Sequence, residues 1–204
     1  MGFQSVFRPG LFANQVVLVT GGGSGIGRCI AHELASLGAQ VVISGRNPEK
    51  LDKVRAEIQE DGGLCQSIVC DIREEDQVQA MIKAIVGTFG RLDGLVNNAG
   101  GQFPSPLESL SKKGFDAVIR NNLTGTFLVT REALNQAMKH TGGAIVCILV
   151  DMTRGFPGMG HTGAARAGVA NLVMTGAVEW AQYNVRINAV LPGTIISSGL
   201  ETYG

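Results

Sequence analysis

Three glycines near the start of the chain, Gly21, Gly25 and Gly27, stand between an apolar run and a helical pattern. A bound pyrophosphate needs backbone N–H groups at a helix N-terminus and no side chains that block its approach. Glycine allows a sharp turn at the first position, close phosphate approach at the second and close packing of helix on strand at the third. The spacing therefore predicts a dinucleotide-binding loop, with a purely structural turn as the alternative.

An arginine stands at the end of the second apolar run. Arg46 follows Gly45 there, and no acidic residue occupies this place. An acid would accept a hydrogen bond from a ribose 2′-hydroxyl, whereas a guanidinium pairs with a 2′-phosphate through two hydrogen bonds. Arg46 is therefore predicted to favour NADP(H). The alternative is a solvated loop arginine.

Two further polar residues have positions that need an explanation. Asp71 follows the third apolar run, where it is expected to bind a ligand group, to cap the next helix, or to do both. Asn122 lies within a helical pattern, although asparagine is a poor helix former. We therefore expect a buried hydrogen bond or a bound water at Asn122.

Strand and helix patterns alternate along the chain, and these elements must position the candidate residues. Short strands that are apolar throughout are typical of a parallel sheet buried on both faces. Asn47 is predicted to cap the second helix. The fold class is therefore α/β, a Rossmann-type doubly wound parallel sheet of about six strands with helices on both faces. Strands are predicted at 16–19, 41–44, 64–69, 92–96, 144–150 and 185–190, and helices at 26–37, 48–60, 74–89, 112–139 and 161–183.

Length and composition exclude several classes of protein. The 204 residues predict one domain, 1–204, and 17 basic residues balance 17 acidic ones, which argues against nucleic-acid or anionic-membrane partners. We expect a soluble cytoplasmic protein, because no apolar run could span a membrane and the first residues lack a signal or transit pattern. The four cysteines lack zinc-site spacing and are expected to be buried, reduced thiols, so no metal is predicted. His32 and His140 are expected on exposed helix faces.

These landmarks together resemble the short-chain dehydrogenase/reductase family over nearly the whole chain. Thr20-Gly21-x-x-x-Gly25-Ile26-Gly27 resembles the family's cofactor loop, and Asn97-Asn98-Ala99-Gly100 its motif after the fourth strand. Asn122 begins a match to the active-site asparagine motif, and Pro192-Gly193 matches the turn beneath the nicotinamide. The resemblance implies cofactor contacts at Thr20, Gly21, Ser24, Gly25, Ile26, Gly27, Arg46, Asp71, Asn98, Ala99, Gly100, Arg166, Pro192, Gly193 and Ile195.

A closer resemblance is to the peroxisomal trans-2-enoyl-CoA reductase group. It is carried by the segments 8–11, 100–106, 122–127 and 161–169. The 2,4-dienoyl-CoA reductases are near relatives of this group, and similar bacterial proteins have been assigned as citronellol-type dehydrogenases. The resemblance implies substrate contacts at Gln102 and Phe103, and catalytic roles for Asn122, Asp151, Thr162 and Arg166.

The chain departs from the family at its catalytic positions. Thr162 takes the place of the family tyrosine, Arg166 that of the lysine four residues later, and Leu149 or Val150 that of the serine. Asp151 stands where the dienoyl reductases have a tyrosine. Tyrosine is thus absent from each place where the family has a proton donor.

The substituted residues suggest different chemistry. Arg166 stays charged and must act electrostatically, unless it is only paired with a carboxylate. The Thr162 hydroxyl can hydrogen-bond a carbonyl oxygen as negative charge develops there. Asp151 is either catalytic or simply solvated. His161 either donates a proton or caps the helix at the surface.

Three functions remain open at this point. The first is NADPH-dependent reduction of an enoyl-CoA thioester, which needs an oxyanion site more than a strong acid. The second is a dehydrogenase of terpenoid or other apolar alcohols, and the third a catalytically silent dinucleotide-binding protein. Relatives pair through their long helices, so a homo-oligomer is expected.

The last residues carry a further expectation. The segment 192–199 follows the sixth strand, and five residues come after it. Relatives continue with a seventh strand and helices that roof the substrate site. We therefore expect 185–190 to be an edge strand, the acyl pocket to be open to water, and the 204-residue chain to bind cofactor with little reductase activity.

Overall fold

The fold is described from a computed structural model that covers residues 5–196. Six strands form one parallel sheet in the order β3-β2-β1-β4-β5-β6. The order reverses between β1 and β4, so the crossover helices on either side of this point cover opposite faces of the sheet. The strands are β1 Val16–Thr20, β2 Gln40–Gly45, β3 Leu64–Val69, β4 Gly94–Asn97, β5 Gly143–Ile148 and β6 Val185–Val190.

Seven α-helical segments connect these strands within the described residues. They are α1 Gly25–Ser36, α2 Pro48–Glu60, α3 Glu75–Phe89, α4 Lys112–Ile119, α5 Gly125–Ala133, α6 Lys139–Thr141 and α7 Gly160–Glu179. Asn47 caps α2 as predicted, because its side-chain oxygen accepts a hydrogen bond from the Lys50 N–H at 2.9 Å.

The sheet separates two hydrophobic clusters. On one face α1 and α2 pack on β1 and β2, with Val19 and Ile43 completely buried. On the other face α3, α5 and α7 pack on side chains such as Leu18 and Leu95. The central strands β1 and β4 are therefore buried throughout, which confirms the prediction for them.

The outer strands do not have the predicted two-sided burial. β3 and β6 lie at the two ends of the sheet, and exposed residues are interspersed along both. An end strand has one neighbour and less helix cover, so part of its side chains face solvent. β6 is an edge strand of the described sheet, as expected.

The prediction of one regular helix over 112–139 is wrong. The region is helical, but two π-helical segments, Arg120–Thr124 and Leu134–Met138, interrupt it. In the first segment the Gly125 N–H bonds the Arg120 carbonyl five residues back, so the helix is locally wider. Such π-turns occur frequently at functional sites.

Other boundaries shift for local reasons. β4 begins at Gly94 rather than 92, although Asp93 already bonds β1: its N–H donates to the Val16 carbonyl and its carboxylate accepts from the Val16 N–H. β5 ends at Ile148 rather than 150. α7 ends at Glu179 rather than 183, because a 3₁₀ turn over Ala181–Tyr183 follows it.

Two exposure predictions are wrong. His32 is only 7 % exposed and its ring contacts the Glu57 carboxylate at 3.3 Å, so it joins α1 to α2. Cys29 is exposed, whereas Cys65, Cys70 and Cys147 are buried as expected. Across residues 5–196, no helix combines the length and apolar character needed to cross a bilayer.

Candidate functional site

The glycine loop joins β1 to α1 at the point where the strand order reverses. Gly21 and Gly25 have positive φ angles of 67° and 53°, which side-chain-bearing residues rarely adopt. A Cβ atom at Gly27 would collide with the Gly21 carbonyl oxygen and with Asn98 Nδ2. The first and third glycines thus have the geometry that the sequence predicted, a sharp turn and close packing.

The N-terminus of α1 is open for an anion. Ser24 occupies the N-cap position, but its side chain makes no capping hydrogen bond. The first turn of α1 also holds no acidic residue. Uncapped N–H groups and the positive end of the helix dipole fit the pyrophosphate of a dinucleotide. Ser24, Gly25 and Ile26 would be the residues nearest to it.

The Thr20 side chain ties the glycine loop to the end of β4. Its hydroxyl donates to the Val96 carbonyl at 3.3 Å and accepts from the N–H groups of Asn98 and Ala99 at 3.0 Å each. Asn98 Nδ2 donates back to the carbonyls of Thr20 and Gly21. Thr20 is buried, and its hydroxyl is already hydrogen-bonded to backbone groups. Its role in this structure is therefore to hold the glycine loop against the end of β4.

A groove of about 220 Å³ runs along the carboxyl ends of β1, β2 and β3. Arg46 and Lys50 supply positive charge to this groove. Arg46 has no hydrogen bond or ion pair with any residue in the range 5–196, so its guanidinium is available to a ligand. The lining comprises Gly21, Gly23, Ser24, Gly45, Arg46, Asn47, Lys50, Leu51, Cys70, Asp71, Ile72, Ala99, Gly100 and Asn121.

Asp71 lines the same groove, and Arg73 holds its carboxylate. Arg73 Nε donates to both carboxylate oxygens, at 2.9 and 3.1 Å, and its Nη2 donates to one of them at 2.5 Å. These hydrogen bonds, reinforced by the charge of Arg46, lower the pKa of Asp71 below its ordinary value. Asp71 does not cap α3, because Glu74 occupies the N-cap position. The sequence prediction missed Arg73, although it stands only two residues away.

Arg166 is a buried cation without a counter-ion. It is 7 % exposed, and Nη1 donates to the Ile148 carbonyl at 3.0 Å, while the buried Nε has no partner. No carboxylate forms an ion pair with it among residues 5–196, which overturns the paired-arginine alternative. Burial lowers the pKa of Arg166 to about 10, so the group is still charged at neutral pH. A buried guanidinium with an unsatisfied Nε and no counter-ion among these residues fits a cofactor ribose or another polar ligand group.

The position of the Arg166 guanidinium also explains why residue 100, after β4, is glycine. A Cβ atom at Gly100 would collide with Arg166 Nη2 and would lie 2.6 Å from Asn122 Oδ1. The three residues therefore meet at the carboxyl end of β4, as the sequence predicted for a common site. Ala99 lies just before this meeting point and lines the groove.

Asn122 is completely buried in the first π-helical segment. Its Nδ2 donates to the carbonyls of Gly101 at 2.7 Å and Val118 at 3.1 Å, and its Oδ1 accepts from the Gly101 N–H at 3.4 Å. The expectation of a buried hydrogen bond is confirmed. The bonds fix the loop after β4.

Thr162 and His161 lie at the start of α7 and are both 0 % exposed. His161 Nδ1 accepts a hydrogen bond from the Thr162 N–H at 2.8 Å and lies 3.4 Å from the Thr162 hydroxyl oxygen. His161 therefore lies inside the first turn of α7, where Met159 is the N-cap residue, and the expectation of a capping residue at the surface is wrong. The Phe103 ring packs edge-on against the imidazole at a centroid distance of 4.7 Å, whereas His161 Nε2 is buried without a partner.

The remaining predicted residues lie around this centre. Asp151 is exposed; its carboxylate accepts from the Thr153 N–H and hydroxyl, which lowers its pKa. Gln102 is half-buried beside Phe103. Pro192 and Ile195 line a second, apolar groove of about 960 Å³ between α1 and strands β4 to β6, whereas Gly193 is exposed. Tyr203 lies outside the described residues.

Comparison with known proteins gives a consistent family. The sequence profile of the family described as short chain dehydrogenase matches residues 15–202. A probable 2,4-dienoyl-CoA reductase of Bacillus subtilis (strain 168) is 38% identical over 91% of this chain and 74% of that protein. The peroxisomal 2,4-dienoyl-CoA reductase of Danio rerio is 39% identical over 98% of this chain and 67% of that protein.

One solved structure is considerably more similar in sequence. The citronellol catabolism dehydrogenase of Pseudomonas aeruginosa PAO1 superposes with a TM-score of 0.91 and is 57% identical. The match covers 94% of this chain and 79% of that chain. The fold therefore agrees with that of a solved short-chain dehydrogenase structure.

Proposed function

The chain belongs to the short-chain dehydrogenase family of oxidoreductases, and from that premise we propose that it uses NADPH to reduce the C=C bond of a 2-enoyl-CoA thioester. The observation that carries this proposal is the buried, uncompensated guanidinium of Arg166 together with the absence of a tyrosine from its surroundings. The one tyrosine within residues 5–196 is Tyr183, which lies in the 3₁₀ turn after α7.

The choice of NADPH rests on the charge at the end of β2. Arg46 and Lys50 line the groove, and the end of β2 carries no acid. A 2′-phosphate would neutralise the unpaired Arg46 guanidinium through charge-assisted hydrogen bonds. The ribose 2′-hydroxyl of NADH would find no carboxylate acceptor at the end of β2.

The residues at the start of α7 suit the reduction of an activated double bond. The bound nicotinamide nucleotide supplies the hydride for this reaction. In this proposal the Thr162 hydroxyl donates a hydrogen bond to the thioester oxygen, and the positive charge of Arg166 stabilises the negative charge that develops there. Solvent can protonate the α-carbon afterwards, so this reaction does not require a strong acid in the chain.

A second candidate is a dehydrogenase of terpenoid or other apolar alcohols. Its support is the 57% identity to a protein named citronellol catabolism dehydrogenase. This reaction moves a proton on and off the substrate oxygen, and a threonine hydroxyl is a poor acid or base for that purpose. Because the family tyrosine is missing, we rank the alcohol dehydrogenase second.

Steady-state kinetics separates the candidates. We expect NADPH consumption with crotonyl-CoA that exceeds the rate with citronellal and the rate without substrate. Reduction of NADP⁺ by citronellol at a higher rate than crotonyl-CoA reduction would establish the alcohol dehydrogenase instead. NADPH binding without turnover of either substrate would identify a silent dinucleotide-binding protein.

The proposal extends to the setting of the protein. We infer that residues 1–204 form one domain, that the acyl substrate is a CoA thioester, and that the protein works in the cytoplasm as a homo-oligomer. Free cysteines among the described residues support a reducing compartment.

A further inference from the structure

A line of buried polar groups runs from the end of β4 through α5 to the loop after β4. Asn97 Nδ2 donates to the Thr130 hydroxyl at 2.7 Å, and that hydroxyl donates to the Thr126 carbonyl at 2.6 Å. The Thr126 hydroxyl donates to the Asn122 carbonyl at 2.9 Å, and Asn122 Nδ2 donates to the Gly101 carbonyl at 2.7 Å. We call these four hydrogen bonds the polar ladder.

The polar ladder lies in an apolar environment. Its four side chains are between 0 and 6 % exposed, and Thr126 and Thr130 lie on α5, whose residues Leu128 and Val129 belong to the hydrophobic core. Unmatched polar groups are costly in such surroundings, and successive hydrogen bonds of one direction polarise each other. The Thr130 hydroxyl therefore joins Asn97 to the helix backbone at Thr126, and the Thr126 hydroxyl separately joins the helix to the Asn122 carbonyl.

The two ends of the polar ladder enclose the segment 97–101. Within this segment Asn98 bonds the carbonyls of the glycine loop, and Gly100 lies against the Arg166 guanidinium. The ladder bonds Asn97 at one end and Gly101 at the other. A shift of α5 along its axis would therefore move the wall shared by the glycine loop and Arg166.

We propose that Thr126 and Thr130 are positioning residues for the cofactor site. Together with Asn97 and Asn122 they hold the segment 97–101 at the distance that leaves room for the nicotinamide nucleotide. Neither threonine hydroxyl has to touch cofactor or substrate for this role. The positioning role depends on the proposed function in one respect, the identity of the cofactor as NADPH.

The test compares Thr130→Val, which keeps the shape and removes the hydroxyl, with Thr130→Ser, which keeps the hydroxyl. In Thr130→Val, Asn97 Nδ2 retains the Cys147 sulfur, at 3.6 Å, as its one partner among residues 5–196. We expect faster hydrogen exchange of the amides in 98–101 and about tenfold weaker NADPH binding, measured by fluorescence titration. Thr130→Ser should restore both quantities to within about twofold of the parent protein.

A buried neighbour provides the control for general destabilisation. Val129→Ala removes apolar contacts from the same helix without a hydrogen bond, so it should lower the unfolding free energy and leave both readouts unchanged. If Thr130→Val does not fold, Thr126→Val tests the other threonine, whose hydroxyl holds the Asn122 carbonyl, with Thr126→Ser as its rescue.

The outcomes are distinct. Equal effects of Thr130→Val and Val129→Ala on exchange, or unchanged exchange in Thr130→Val, would overturn the positioning role. A parent protein that binds no NADPH would refute the proposed cofactor, while the exchange measurement would still decide on the polar ladder.

Discussion

At the scale of single residues, the site replaces a titrating pair with a permanent charge and an alcohol. The family resemblance implies tyrosine and lysine where this chain has Thr162 and Arg166. The guanidinium has no counter-ion among the described residues, and its buried Nε has no acceptor. An arrangement of this kind can bind and stabilise negative charge, but neither group exchanges protons readily near neutral pH.

Loss of the Arg46 guanidinium should reduce the preference for NADPH. Arg46→Ala is expected to weaken NADPH binding about ten- to hundredfold, because a charge-assisted pair contributes roughly 1.5–3 kcal/mol. NADH binding should change little. Isothermal titration with both nucleotides measures this difference, and Arg186→Ala, which removes an exposed charge from β6, is the matched control. Equal affinities of the parent protein for both nucleotides would contradict the assignment.

The Thr162 hydroxyl should affect turnover rather than cofactor binding. Thr162→Val keeps the shape of a fully buried side chain and is expected to lower kcat about a hundredfold, the loss typical of one oxyanion donor. Thr162→Ser should recover most of the rate. NADPH affinity, measured on the same preparations, should stay unchanged. A normal kcat in Thr162→Val would remove the hydroxyl from the mechanism and direct attention to Asp151 and His161.

At the scale of elements, the glycine loop is a packing device as well as a ligand site. A Cβ atom at Gly27 would meet the Gly21 carbonyl, which is backbone and cannot turn aside. Gly87, in the last turn of α3, has open space around the corresponding Cβ position. Both glycines lie in helices, yet only the first is required by its neighbours.

Alanine substitutions at Gly27 and Gly87 should have opposite effects on stability. Gly27→Ala should lower the unfolding free energy by about 1–3 kcal/mol through overpacking, and it should also weaken NADPH binding. Gly87→Ala should raise stability by about 0.5–1 kcal/mol, because alanine favours the helix. Urea unfolding of both variants measures these changes. A neutral Gly27→Ala variant would show that α1 can move away from β1 at little cost.

The sequence predicted the elements better than their irregularities. Hydrophobic runs bounded by glycine located all six strands, and Asn47 marked the start of α2. The π-helical segments could not be predicted, because a backbone hydrogen bond shifted by one residue leaves no mark on composition. His32 was predicted to be exposed, since its partner Glu57 lies 25 residues away on another helix.

The candidate site was predictable to a similar extent. Gly100, Asn122 and Arg166 do meet, as their positions after parallel strands and in the intervening helices implied. The polar ladder could not be predicted, because nothing in the sequence distinguishes Thr126 and Thr130 from other helix residues. Their importance comes from burial and from the carbonyls they contact, which depend on tertiary packing.

At the scale of the whole molecule, the described structure leaves apolar side chains exposed on α5 and α7. Phe127 on α5 is 41% exposed, and Met174 and Val178 on α7 are 62% and 80% exposed. Apolar residues are spread around α7 instead of lying on one face, which is typical of a helix that is covered on more than one side. We propose these side chains as contacts of the homo-oligomer that we infer for this protein.

Charge placed on this surface should separate the copies. We expect the parent protein to be a dimer or larger by light scattering, and Met174→Glu to shift it towards the monomer, because burying an unpaired carboxylate is costly. Leu64→Glu, at an exposed apolar position of β3, should leave the mass unchanged. A monomeric parent protein would contradict the interface.

The Thr20 hydroxyl also links two segments of the chain that the ribosome makes at different times. Its partner Ala99 lies 79 residues later, so the glycine loop is translated long before its rear wall exists. At about 5–20 residues per second, the ribosome needs roughly 4–16 s to deliver that wall. During this interval α1 has a nucleotide-binding sequence but no nucleotide site. A chain that stops after Asp93 should therefore bind no NADPH in a fluorescence titration, and binding by such a fragment would show that the loop is competent before β4 has been made.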